Sequence, residues 1–179
     1  MGTPLIARTK AGDPDALGEL YARHARALLA LAYRLLGSVE DAEDVLHDVF
    51  LGLPEALRCY DERGTLESWL KRVTARVALN RLRARRRSRE IRFDDDPAPR
   101  DASVRHMPAV GAGDAIDAIA LQRAIDALPE SLRLVFVLKE VEGYSHAEVA
   151  ALLDITRGAS EVRLHRAVAA LRRTLGAHP

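Results

Sequence analysis

Apolar residues recur every three or four positions along most of this sequence, which is the spacing of one face of an α-helix. Near the start, Asp13 and Pro14 form a typical helix beginning, and Gly37 is a typical helix end. Ser38 then begins a second helix with acidic residues in its first turn, and Pro54 is expected to kink or end that helix. The pattern therefore predicts two consecutive amphipathic helices in this part of the chain.

A third long helix is predicted after a short loop. Residues 59–64 lack helical periodicity and are expected to form the loop, and Thr65 is the expected N-cap of the helix that follows. The apolar spacing resumes at Leu66 and continues into a segment rich in arginine, residues 81–87. We expect this helix to complete a first domain, residues 1–91.

The character of the sequence changes over residues 92–113, where prolines, three consecutive acids and scattered glycines give no periodicity. This segment is predicted to be a flexible linker. Residues 114–179 again show helical spacing, with a capping box at Ser145 and Glu148 and a tight turn over residues 154–156. No segment alternates in the manner of a strand. The sequence therefore predicts an all-α chain of two small helical domains joined by a flexible linker.

Composition narrows the class of protein. The chain has 179 residues, of which 48% are hydrophobic and 30% are charged, so it is expected to fold. Its single cysteine, Cys59, cannot form an internal disulfide, which suits a reducing compartment. No apolar run approaches the ~18–20 residues needed to cross a bilayer, and Arg8 and Lys10 interrupt any signal-peptide pattern. These features predict a cytoplasmic protein without membrane insertion.

Two short helices in the second half have the proportions of a helix-turn-helix, whose second helix enters the major groove of DNA. Arginine can donate two hydrogen bonds to guanine, glutamate can accept one from cytosine, and arginine and serine can hold phosphate. A packed helical hairpin with a solvated charged face is the alternative interpretation of the same spacing. The predicted outward face of the second helix carries Arg157, Ser160, Glu161, Arg163 and Arg166.

The end of the third helix is strongly basic. Ten lysines or arginines fall between Lys71 and Arg92, against one acid, Glu90. Such charge density attracts a phosphate backbone, so a polyanion partner is predicted. Trp69 and Tyr60 lie nearby and have rings able to stack on an unpaired base. An isolated tryptophan on an apolar stripe is more often a core residue, and we predict a core position for Trp69.

The second helix has an acidic face, because Glu40, Asp41, Glu43, Asp44 and Asp48 fall within nine residues. Such a face is usually solvated, and it can also dock on a basic surface of a partner protein. A metal site is disfavoured, because the six histidines form no HxxxH or similar cluster. The sequence also lacks a glycine-rich phosphate loop and a serine–histidine–aspartate signature. We therefore expect no cofactor, metal or catalytic residue.

Four segments together resemble the ECF (extracytoplasmic function) group of bacterial sigma factors. They are DAEDVLHDVF at 41–50, LxxWL at 66–70 followed by the basic helix, GYSxxEVA at 143–150, and VRLHRA at 162–167. The likeness extends from about residue 17 to residue 175, and the segments stand in the order typical of that group. The resemblance implies a subunit, not itself an enzyme, that binds core RNA polymerase and directs promoter-specific transcription initiation.

The resemblance also implies a partner for each part of the chain. The acidic helix would bind the β′ clamp helices of the polymerase, whose β flap is a further partner, and an anti-sigma factor is a candidate regulator. The implied polymerase contacts are Asp41, Asp44, Val45, Asp48, Val49 and Phe50. The implied minus-ten DNA contacts are Tyr60, Arg63, Gly64, Thr65, Ser68, Lys71, Arg72, Arg76, Asn80 and Arg83. The implied minus-thirty-five DNA contacts are Ser145, Arg157, Ser160, Glu161, Arg163 and Arg166.

Several positions depart from the usual pattern of the group. His47 stands where glutamine is usual, and Ala159, Glu161 and Val162 replace the more usual threonine, lysine and serine. The last three lower the positive charge of the predicted recognition helix, which leaves the promoter sequence open. A free-standing helix-turn-helix regulator is the alternative function. It has no need of both an acidic partner face and a basic helix that melts DNA.

Overall fold

The chain forms two compact units, Met1–Arg105 and His106–Pro179, in a computed structural model that describes residues 3–61, 64–91 and 115–176. Every regular element in these described ranges is helical. The predicted all-α fold with two helical domains is therefore confirmed.

The described residues of the first unit form five α-helices and a short 3₁₀ turn after the fourth. They are α1 (Thr3–Lys10), α2 (Pro14–Leu36), α3 (Val39–Leu51), α4 (Leu53–Ala56), the 3₁₀ turn (Leu57–Cys59) and α5 (Leu66–Ile91). The sequence pattern does not predict α1, which is only two turns long. Pro54 ends the second helix as predicted, because α3 stops before it and Pro54 lies in the first turn of α4.

Capping contacts set the ends of α2 and the start of α3. The Asp13 carboxylate accepts a hydrogen bond from the backbone N–H of Asp15 at 2.9 Å. Gly37 takes a left-handed φ of 72° at the end of α2. The Ser38 hydroxyl accepts from the backbone N–H of Asp41 at 3.3 Å. All three predicted ends are confirmed.

The core of the first unit lies between α2, α3 and α5. Each helix buries one stripe, so leucines and valines from all three, with two leucines from the segment after α3, fill the space between them. Burying each such side chain stabilises the fold by roughly 1.5–3 kcal/mol. The largest fully buried side chains here are Leu20, Leu28, Leu31, Leu35, Val45, Leu53, Leu57 and Leu70.

In the second unit, residues 115–176 form four α-helices and one π-helical segment. They are α6 (Ala115–Asp126), α7 (Glu130–Phe136), the π segment (Val137–Val141), α8 (His146–Leu153) and α9 (Arg157–Gly176). The apolar spacing predicts a helix over residues 132–141, and the chain is helical there, with the second half wound more loosely as a π-helix. The predicted linker, residues 92–113, lies outside the described residues.

Candidate nucleic-acid interface

The exposed side of α3 is an acidic ridge, which we define as Glu40, Glu43, Asp44 and Asp48. Glu40, Asp44 and Asp48 follow one another at intervals of four residues, and Glu43 lies three residues from Glu40, so all four are neighbours on the helix surface. Leu51 continues the same surface and is 68% exposed. The acidic ridge therefore combines negative charge with one exposed apolar side chain at its end.

Two arginines of α5 turn towards α3. Arg81 places Nε 3.4 Å from Oδ1 of Asp41 and Nη1 3.9 Å from Oδ2 of Asp48, and it also pairs with Asp44. Arg85, one turn later, pairs with Oδ2 of Asp41. The Asp41 side chain is only 12% exposed, so both of its oxygens are neutralised by α5. Part of the basic segment is thus paired with carboxylates of α3 within the unit. The sequence analysis predicted a polyanion partner for this segment.

Four of the expected polymerase contacts are buried, namely Asp41, Val45, Val49 and Phe50. The helical period turns the three apolar side chains away from the acidic ridge and into the core, and their direct contact with polymerase stays a prediction. Phe50 meets the ring of Tyr21 edge-on, with centroids 4.9 Å apart, and Tyr21 is 49% exposed. The sequence analysis did not identify Tyr21 and Leu51 as exposed apolar side chains on this side of the unit. The signal for Leu51 is its position two turns after Asp44, which places both on one face.

The loop before α5 is held by polar and aromatic contacts. The Tyr60 hydroxyl donates to the carbonyl oxygen of Gly64 at 3.0 Å, and the Tyr60 ring meets Trp69 edge-on with centroids 5.2 Å apart. Thr65 Oγ1 accepts from the backbone N–H of Ser68 at 3.2 Å, which confirms the predicted cap. Trp69 is only half-buried. Its predicted core position is wrong, because it packs on a loop residue at the rim of the unit.

A basic stripe runs along the solvent side of α5, and its members are Ser68, Arg72, Arg76, Asn80 and Arg83, all exposed. Arg83 Nη1 donates to Oδ1 of Asn80 at 2.9 Å. Lys71 lies beside the stripe, one third exposed, with Nζ 3.5 Å from a carboxylate oxygen of Glu67. Arg63 lies outside the described residues. The basic stripe is separate from Arg81 and Arg85, which turn towards α3.

In the second unit, α8 and α9 form a helix-turn-helix. The Ser145 hydroxyl accepts from the backbone N–H of Glu148 at 3.2 Å, and the Glu148 carboxylate accepts from the backbone N–H of Ser145 at 2.8 Å. The predicted capping box is therefore confirmed. Asp154 takes a left-handed φ of 55° in the turn. Thr156 Oγ1 then caps α9 by accepting from the backbone N–H of Ala159 at 3.1 Å.

Several predicted DNA contacts are accessible on α9. Arg157 and Glu161 are both exposed and form an ion pair, with Nε and Oε1 3.0 Å apart. Arg166 is exposed, whereas Arg163 is half-buried. Val162, which enters the sequence analysis only as a departure from the family pattern, is 51% exposed. The accessible surface of this helix therefore includes Arg157, Arg166, a glutamate and an apolar side chain.

Ser160 lies on the inner side of α9. It is fully buried, and its Oγ lies 2.9 Å from Nδ1 of His146 on α8. Its predicted outward position is therefore wrong. Serine is usually exposed, so no local pattern predicts its burial. The partner that makes burial possible is 14 residues away in the chain.

Two titratable groups away from these surfaces have shifted pKa values. Burial lowers the pKa of His24 below its usual 6.5, the charge of Arg23 acts in the same direction, and that of Glu67 opposes it. The hydrogen bond from Arg8 lowers the pKa of the Asp13 carboxyl. No group of three or more histidine, cysteine, aspartate or glutamate side chains among the described residues is arranged to hold a metal ion. The described helices include none that is long and apolar enough to span a membrane.

Family models match both units. The model described as Sigma-70 region 2 matches residues 20–88, which include the acidic ridge and the basic stripe. The model described as Sigma-70, region 4, matches residues 118–171, which include the helix-turn-helix.

Known proteins similar to this chain match nearly all of its length. ECF RNA polymerase sigma factor SigE of Mycolicibacterium smegmatis is 35% identical over 176 residues, covering 93% of this chain and 65% of SigE. ECF RNA polymerase sigma factor SigM of Mycobacterium tuberculosis is 33% identical over 174 residues, covering 96% of this chain and 83% of SigM. A solved structure of CnrH in complex with the cytosolic domain of CnrY is 28% identical, with a TM-score of 0.54, covering 98% of this chain and 97% of CnrH.

Proposed function

The chain belongs to the ECF group of RNA polymerase sigma factors, and we propose how its two units divide the work of transcription initiation. Residues 1–91 bind core polymerase and open the minus-ten element, residues 92–113 connect, and residues 114–179 read the minus-thirty-five element. The chain has no catalytic activity of its own in this proposal, and it acts in the cytoplasm, where polymerase and promoter DNA are found. An anti-sigma factor as its regulator rests on family membership alone.

The polymerase-binding surface of this proposal is the acidic ridge with its apolar neighbours. Asp44 and Asp48 remain more than half exposed although both pair with Arg81. Leu51 and Tyr21 add exposed apolar area that a partner helix can cover. Charge complementarity of this kind steers a basic partner surface and fixes its register, while the apolar contacts contribute to affinity. This pattern suits docking on a basic helical surface such as the clamp helices of β′.

DNA opening is assigned to the loop before α5 and to the basic stripe. The Tyr60 hydroxyl, held on the Gly64 carbonyl, and the Trp69 ring shape the side of this loop. An unpaired base can be trapped there by stacking and by hydrogen bonds from the loop backbone, which lowers the free energy of the opened strand. Arg72 and Arg76 lie about two and three turns into α5, and both are placed to bind the phosphates next to that base.

Recognition of the upstream element is assigned to α9. Arg166 is exposed and free to meet a base edge or a phosphate in the major groove. The ion pair between Arg157 and Glu161 holds both side chains in place. Arginine favours guanine as a contact, and glutamate favours cytosine. Val162 adds an apolar contact of the kind that fits a thymine methyl group.

One observation carries the proposed function. The first unit presents the acidic ridge and the basic stripe on two helices that pack against each other. A free-standing helix-turn-helix regulator, the alternative function, needs only the second unit to bind its operator. A protein that must hold a basic partner and a single DNA strand at once needs both surfaces of the first unit.

Reconstituted transcription tests the proposal. Purified chain is added to core RNA polymerase, and transcripts initiated on genomic DNA fragments are mapped. We expect specific start sites that are absent with core polymerase alone and that disappear when Asp44 and Asp48 are both changed to lysine. Binding of the chain to the same fragments without specific initiation would favour the free-standing regulator.

A further inference from the structure

We propose that Arg81 is an internal counter-ion that competes with a basic partner protein for the acidic ridge. The inference rests on the proposed role of the acidic ridge in binding polymerase, and it assigns to Arg81 the opposite effect on that binding. Arg81 lies on the helix that carries the basic stripe, yet its guanidinium points at α3. Arg81 then lowers the affinity of the chain for its partner.

The geometry of Arg81 supports competition. One guanidinium group serves three carboxylates, with distances of 3.4 Å to Asp41 and 3.9 Å to Asp48 and a closer contact to Asp44. Those three residues are spaced so that they share one side of α3. Arg81 is 33% exposed, so a basic partner approaching the acidic ridge meets both the carboxylates and the positive charge already bound to them. The partner must share or displace that charge.

Arg85 provides an internal comparison, since it lies one turn away and contacts only Asp41 among the carboxylates of α3. The Asp41 side chain is largely buried, and a buried carboxylate that loses its partner is costly. Arg85 therefore stabilises the fold. If Arg81 is removed, Arg85 still neutralises Asp41, so the helix pair is expected to stay folded while Asp44 and Asp48 become free for a partner.

If Arg81 competes with the partner, its loss should raise the affinity for core polymerase, whereas the loss of a purely structural residue should not. Loss of Arg81 leaves the acidic ridge more negative. The partner then no longer has to displace Arg81 from Asp44 and Asp48. Exposed pairs are worth little each, so the expected gain is about three- to tenfold in affinity for core polymerase at low salt. Salt screens such charges, and the gain should shrink towards nothing near 0.5 M salt, where the Debye length is only about 4 Å.

The test measures the dissociation constant of the full chain and core polymerase at low and high salt for Arg81→Gln, Arg85→Gln and Arg87→Gln. Arg87 is an exposed residue of the same helix with no ion pair to the described residues of α3, so its variant controls for the loss of one positive charge. We expect tighter binding for Arg81→Gln alone at low salt. Arg85→Gln should instead lower the melting temperature of the free chain without any gain in affinity.

Equal or weaker binding of a folded Arg81→Gln variant, or an equal gain for Arg87→Gln, would overturn the inference. If Arg81→Gln does not fold, Arg81→Lys takes its place. One ammonium group cannot span three carboxylates, so a smaller gain in affinity is expected for this variant. No gain in affinity would overturn the inference as well. The variant with Asp44 and Asp48 changed to lysine separates the two proposals. Unchanged binding of that variant refutes the polymerase-binding role, whereas its loss without a gain for Arg81→Gln refutes competition alone.

Discussion

Nδ1 of His146 and Oγ of Ser160 lie 2.9 Å apart and join the two helices of the helix-turn-helix. His146 is half-buried at the first position of α8, and Ser160 is fully buried in the first turn of α9. Either atom is able to donate, depending on which ring nitrogen carries the proton. A directional bond at this point fixes how α9 crosses α8, and thereby how the exposed side of α9 is presented to DNA.

Replacement of Ser160 by alanine removes this bond. We expect a loss of about 1 kcal/mol in unfolding free energy and weaker binding to a cognate promoter fragment, because the helix crossing is less well fixed. Thermal unfolding and DNA binding are measured on the full chain. Thr174→Ala serves as the control, since Thr174 is an exposed residue of α9 that bonds only to its own helix at Ala170. Equal behaviour of the two variants would contradict this role for Ser160.

Arg166, which is exposed on α9, should matter more for reading DNA than the half-buried Arg163. Arg166→Ala is expected to weaken promoter binding by roughly 1–3 kcal/mol if Arg166 contacts a base, with relaxed preference at one position. Arg163→Ala should have the smaller effect on sequence preference, because Arg163 is partly enclosed. Binding of both variants to a set of single-base promoter variants checks this. A larger loss of preference for Arg163→Ala would reverse the assignment.

Reversal of charge on the acidic ridge should break the polymerase complex and leave the fold intact. Asp44 and Asp48 are exposed, so lysine at both positions should change the unfolding free energy of the free chain by only about 1–2 kcal/mol. Repulsion from a basic partner surface should abolish co-purification with core polymerase. The paired change of Glu40 and Glu43 to glutamine is a milder comparison on the same helix. Retained co-purification of the lysine variant would contradict the assignment.

His24 makes the stability of the first unit dependent on pH. Its pKa is lowered in the folded chain, mainly by burial, so the unfolded chain binds the proton more readily. Its contribution to stability is therefore present above the ordinary pKa of 6.5 and is lost as pH falls through the lowered folded-state pKa. We expect unfolding free energy to decrease between about pH 7 and pH 5, and His24→Gln to reduce that decrease. Identical pH dependence of the two proteins would contradict this.

Local signals in the sequence predict most of the helix ends. Ser145 and Glu148 bond to each other across three residues, and Asp13, Gly37 and Thr65 act within one turn, so their roles do not depend on the rest of the fold. The helix-turn-helix could be predicted for the same reason. Such signals fix where a helix begins or ends, but they do not determine which of its faces becomes buried.

Contacts between distant residues explain where the sequence interpretation was wrong. Arg81 and Asp41 are 40 positions apart, and no local pattern indicates that part of the basic segment turns towards α3. Ser160 is buried because His146 faces it from another helix. Val49 and Phe50 match a family motif that suggests contacts, although the apolar spacing of the same helix already places them on its buried stripe.

Opening of promoter DNA is the measurement that tests the central claim most directly. Permanganate footprinting of thymines in a cognate promoter is performed with core polymerase and either the native chain or its Arg72→Ala, Arg76→Ala variant, with Arg58→Ala as an exposed-arginine control outside α5. We expect reactive thymines in the minus-ten element with the native chain and the control. The double variant should bind polymerase normally and open less DNA. Full opening by the double variant, or no opening by the native chain, would contradict the account.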